Sequence, residues 1–141
     1  MNYKKLAIAI LAVFVTIFAT DFIIHGNLLK GMYMDTQSLW RGQDEMQSYM
    51  GWMVLSQLLA ATFFCMIFPY GREGKGMTEG VRYGLLMGGL GTSHFFMQYA
   101  VTPIPLAMIF AWTVGWVAQS VLCGLVVSKI YASEKASKRR A

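Results

Sequence analysis

The chain has 141 residues, of which 56% are hydrophobic and only 13% charged, with a formal net charge of +5. Charged residues stand at about half the roughly 25% usual in soluble domains, so composition alone points to one membrane domain. The basic excess does not imply a nucleic-acid partner: ten of the twelve Lys and Arg fall in three groups beside apolar runs, namely Lys4 and Lys5, then Arg72, Lys75 and Arg82, then Lys129, Lys135, Lys138, Arg139 and Arg140. That placement is a topology signal, because Lys and Arg are retained on the cytoplasmic side.

The first apolar run, Leu6–Ile24, is broken only by Asp21. It reaches about 28 Å at helix rise, enough to span, and Ile17 is a poor minus-three residue for cleavage after Ala19, so an uncleaved anchor over 6–25 is expected. Residues 26–48 form the longest polar connection, with Tyr33 and Trp40 among its charges. A short interfacial helix is expected there, lying on the membrane surface. A second span over 49–70 carries no charge and ends at Pro69, before the basic turn GREGKG. With no strand before it, that turn is not a nucleotide loop. The third span, 82–101, ends at Thr102-Pro103-Ile104-Pro105, where two prolines favour a tight hairpin. A fourth span covers 106–128, and residues 132–141 read as a mobile basic tail. The expected fold is therefore all-α, a polytopic four-helix transmembrane bundle in the lipid bilayer of a bacterial-type inner membrane. Both termini are placed in the cytoplasm.

Heptad spacing predicts the inward faces. They are Ala7, Leu11, Phe14, Phe18, Asp21 and His25; then Met46, Met50, Met53, Gln57, Ala60 and Phe64; then Gly80, Gly84, Met87, Gly91, His94 and Gln98; and finally Met108, Trp112, Gly115, Gln119, Leu122 and Val126. The bare positions Gly80, Gly84 and Gly91 admit a close neighbour, and Ala107, Ala111 and Gly115 form the small-residue stripe expected to receive them. Helix rise sets Asp21 about 8 Å, and Gln57 and His94 about 10 Å, below the outer ends of their spans. An outward polar cluster of Asp21, His25, Gln57, His94, Gln98 and Trp112 follows.

Three chemistries suit that cluster. The favoured one is structural, with polar side chains bonding helices together in a non-catalytic accessory or scaffold protein whose partner is another membrane subunit or itself. The second is copper or haem ligation by Asp21, His25 and His94 with the soft thioethers of Met50 and Met53. The third is a pocket for a small apolar or amphipathic molecule, or a path for a proton or solute. No nucleophile–base pair is visible: Ser93 and His94 are adjacent and diverge by about 100° on a helix. Cys65 and Cys123 lack metal or redox spacing and read as packing residues. Glu73 and Glu79 are expected to form surface pairs with Arg72, Lys75 and Arg82.

The segments DFIIHGNLLKGMY at the end of the first span, LWR at 39–41, EGVRYG at 79–84 and YAVTPIP before the last span resemble small four-span bacterial inner-membrane proteins of unknown function. The resemblance implies the same topology and supplies no activity.

Overall fold

The computed structural model describes residues 2–138, and the chain is helical from end to end, with no strand among those residues. Helix α1 (Tyr3–Ile23) begins at Asn2, whose side chain accepts the Lys5 N–H at 3.2 Å. This satisfies one of the donors that a helix start leaves over. A π turn, Ile24–Leu28, prolongs α1 and is closed by Leu29 N–H donating to Ile24 O at 2.8 Å. Short helices α2 (Lys30–Asp35) and α3 (Gln43–Ser48) follow, with a 3-10 turn at Gln37–Leu39 between them. The interfacial helix expected in 26–48 is thus two helices. The long helices α4 (Met50–Ile67), α5 (Met77–Val101) and α6 (Leu106–Lys138) complete the chain. Helix α6 continues through most of the segment expected as a tail, of which residues 139–141 lie outside the described ones.

Three segments are long and apolar enough to cross a membrane: Tyr3–Leu28, Met50–Gly71 and Leu106–Ala132. Helix α5, at 25 residues, is long enough but does not qualify by composition. Its glycines and its Thr92, Ser93, His94 and Gln98 dilute the apolar content that the other three retain.

Those same glycines explain how α5 packs. Gly80, Gly84 and Gly88 are buried against α6. A Cβ on Gly84 would stand 2.5 Å from both Ser120 O and Val121 Cα, and one on Gly80 would strike the Gly124 backbone. The surface of α6 that receives them is Ser120, Gly124 and Ser128, spaced by four. Gly91 lies under the Trp116 indole, and Gly115 instead meets Ile24 at the end of α1. The receiving surface therefore lies 13 residues nearer the C-terminal end of α6 than the expected stripe Ala107, Ala111 and Gly115, with Ala107 exposed. Close backbone approach is what holds helices together where apolar burial gives little driving force.

Helix α1 packs on both α4 and α6, and α6 on α5. The main core gathers Leu6, Ala9, Val13 and Ile17 with Ala61, Phe64, Cys65, Phe68, Cys123, Val127 and Tyr131. The expected face of α1 is off by one position as far as Phe18: Leu11 and Phe18 are 65% and 51% exposed. The cause is the repeat, which follows steps of four from Ala9 to Asp21 rather than a strict heptad. Tyr83 ties α5 to α4, its hydroxyl donating to Phe64 O at 2.6 Å and its ring meeting Phe64 and Phe68 edge-on.

The 72–76 turn is more ordered than surface pairing requires. Glu79 is buried, and its carboxylate accepts the backbone N–H groups of Glu73, Gly74 and Lys75. Gly74 and Gly76 supply the positive φ, 78° and 71°, that winds the loop around it. Glu73 makes pairs of the expected kind, with Lys75 at 2.5 Å and Arg82 at 2.8 Å. Lys75 and then Arg82 hold its carboxyl down to about 2. Arg72 donates to Tyr131 O at 2.9 Å, locking the turn to α6.

Gly84→Leu is expected to destabilise the protein by about 3 kcal/mol or more, because backbone rather than a flexible side chain must yield. Gly89, which has nothing within 4 Å of a built Cβ, is the matched control, and Gly89→Leu should shift stability by under about 0.5 kcal/mol. Unfolding of the purified variants in mixed micelles measures both.

Candidate functional site

Asp21 is the one charged residue inside the first apolar run. An ionised carboxylate within a membrane is costly and persists only when its lone pairs are met. Here two amides meet them. Gln57 Nε2 donates to Asp21 Oδ2 at 2.7 Å and Gln119 Nε2 to Oδ1 at 2.6 Å. Gln119 also donates to Thr20 Oγ1 at 2.6 Å and Ile17 O at 3.2 Å. One carboxylate thereby joins α1, α4 and α6. Gln119 was placed on the inward face of α6 by spacing but not in the expected cluster; as the lone amide of a charge-free run, it carried the signal.

Above this knot lies an aromatic cap. Tyr33 Oη accepts the Trp112 indole N–H at 3.0 Å and stands 2.7 Å from His25 Nδ1. Indole nitrogen can only donate, so Tyr33 Oη accepts from Trp112, and the direction of its bond with His25 Nδ1 is set by the imidazole tautomer. Burial pushes the Tyr33 phenol up to about 12, with the Trp112 hydrogen bond opposing the rise and the Asp21 charge adding to it. It therefore keeps its proton at neutral pH. Trp40 packs edge-on against both Tyr33 and Trp112, and its Nε1 donates to Thr36 Oγ1 at 2.9 Å. These rings, with Met32, Leu39 and Phe95, cover Ile104, Met108 and Ile109. Tyr33 and Trp40 thus fold onto the N-terminal end of α6.

The remaining expected members are not part of this knot. Met50 and Met53 are exposed on the outer half of α4. Gln98 donates to Thr102 Oγ1 at 3.4 Å on its own helix. His94 is exposed, and Phe95 takes the place beside Trp112 and Trp116. Register explains the separation. Gly84 faces Ser120 and Gly91 faces Trp116, so Gln119 is level with the stretch between Gly84 and Gly88. His94 lies at least six residues further along, about 9 Å nearer the outer end. Among the described residues, no group of three or more His, Cys, Asp or Glu is placed to hold a metal ion. The Asp21, His25 and His94 set is corrected accordingly.

No protein-family profile, curated protein or solved structure matches the chain.

Replacing Gln119 by Leu is expected to cost about 2–3 kcal/mol, since it strips one carboxylate oxygen of its donor inside the bundle. Gln57→Leu should cost less, about 1 kcal/mol, as Gln57 makes a single bond of this kind. Equilibrium unfolding of the two single variants and the double variant reports the coupling through Asp21.

Proposed function

We propose that the chain is a non-catalytic accessory or scaffold protein of a bacterial-type inner membrane. In this reading α5 spans the bilayer beside the three apolar helices, and both termini are cytoplasmic. The observation that carries the proposal is the closure of the Asp21 knot: both carboxylate oxygens are taken by amides of the chain itself. Each oxygen is committed to a different helix of the same chain, which is the arrangement of a polar contact that joins helices.

The purified protein is expected to carry no stoichiometric copper and no Soret absorption. His25→Ala and His94→Ala should leave elemental analysis unchanged. One equivalent of metal lost in both variants would replace the scaffold reading with a binding one.

Topology has its own measurement. A cysteine at Ser38 should react with an impermeant maleimide applied from outside, and a reporter after Ala141 should be active only in the cytoplasm. The opposite pattern would invert the membrane orientation proposed here.

A further inference from the structure

The end of the bundle opposite the aromatic cap collects most of the positive charge. Counted from the Asp21 knot, α1 runs back to Lys4, α4 on to the turn at Gly71, and α6 on to Lys129. At helix rise these are distances of about 26, 21 and 15 Å. Helix α5 starts at the same end, since Gly80 lies against Gly124. Residues 1–5, 71–82 and 129–138 hold eight Lys and Arg against three Glu, whereas residues 26–49 hold two against three acidic side chains.

The carboxylates of the 71–82 turn are already committed. Glu79 accepts from the backbone of residues 73–75, and Glu73 pairs with Lys75 and Arg82. Lys4 and Lys129 are exposed, and among the described residues neither side chain makes a hydrogen bond or an ion pair.

These cations also stand at the foot of apolar strips. Ile8, Leu11 and Val15 follow Lys4 in steps of four, three and four, and all three are exposed. Leu85 and Leu86 are exposed one turn above Arg82, and Leu122 two turns above Lys129. A cation with apolar surface directly above it has the form of a site for a phospholipid, phosphate at the foot and acyl chain along the strip. A nucleic acid or an acidic protein would meet the charges and leave the strips uncovered. A zwitterionic headgroup brings its own ammonium to a surface already rich in cations, so a net negative charge is favoured.

We infer that this end of the protein selects anionic phospholipids from the cytoplasmic leaflet, with Lys4, Arg82 and Lys129 holding headgroup phosphates and the strips above them holding acyl chains. The inference rests on the proposed membrane reading, and goes beyond the scaffold role by naming a lipid partner.

The full chain in phosphatidylcholine nanodiscs, with trace spin-labelled phosphatidylglycerol or spin-labelled phosphatidylcholine, tests it. The motionally restricted fraction of each label reports which lipid sits against the protein. One cation at the membrane surface corresponds to about a fivefold preference. Phosphatidylglycerol is therefore expected to be favoured about fivefold at low salt, and to approach parity in 1 M NaCl, where the screening length is about 3 Å. The double variant Lys4→Gln, Lys129→Gln breaks no ion pair and should lower the preference to about twofold, while Lys30→Gln at the opposite end leaves it unchanged. Equal restriction of the two labels overturns the inference, as does a preference that survives salt or the double variant. Inorganic polyphosphate that abolishes the preference at equal phosphate concentration also overturns it, reassigning the surface to a soluble polyanion. Co-elution with the nanodisc separates the two failures: a chain that stays outside the disc sinks the membrane reading, and an embedded chain indifferent to lipid charge sinks the lipid site alone.

Discussion

The bare-backbone contact between α5 and α6 is the constraint from which the rest of the arrangement follows. At Gly80 against Gly124, and at Gly84 against Ser120, main chain meets main chain with no space for a methyl group. Two helices held that close have a fixed register, and the register decides what stands beside what. It puts Trp116 over Gly91 and carries Phe95 to Trp112. It also accounts for α5 itself: the residues that make it the poorest helix for lipid make it the best for a neighbour.

Helix α1 plays the complementary part. It lies between α4 and α6, and Asp21 sends one carboxylate oxygen to each. Small residues set distance on one side of the molecule, while a shared charge sets rotation on the other. The two devices meet on α6, where Gln119 and Ser120 are neighbours in sequence and face different helices.

Much of this was legible in the residues. Charge-free runs gave the long helices, the glycine spacing of Gly80 and Gly84 gave the packing face of α5, and Asp21 with Gln57 gave the polar contact. What was not legible came from two sources. A strict heptad slides around a straight helix, and that drift put Leu11 and Phe18 inside when they face out. Depth was counted from the ends of apolar runs, which takes the helices to be level. They are staggered, so His94 is too far along α5 to join Asp21. The Glu79 cradle needed three-dimensional knowledge of a loop with two positive-φ glycines.

The π turn at Ile24–Leu28 has a geometric consequence for the whole outer surface. A π turn holds one residue more than an α turn, so the backbone leaving it is rotated by about 100° from where an unbroken α-helix would send it. Asn27 stabilises the irregularity by donating its side-chain amide to Phe22 O at 3.1 Å. The connecting segment consequently emerges over α6 instead of continuing along the axis of α1. A single surplus residue in the winding of the first helix steers the next dozen across the top of the molecule.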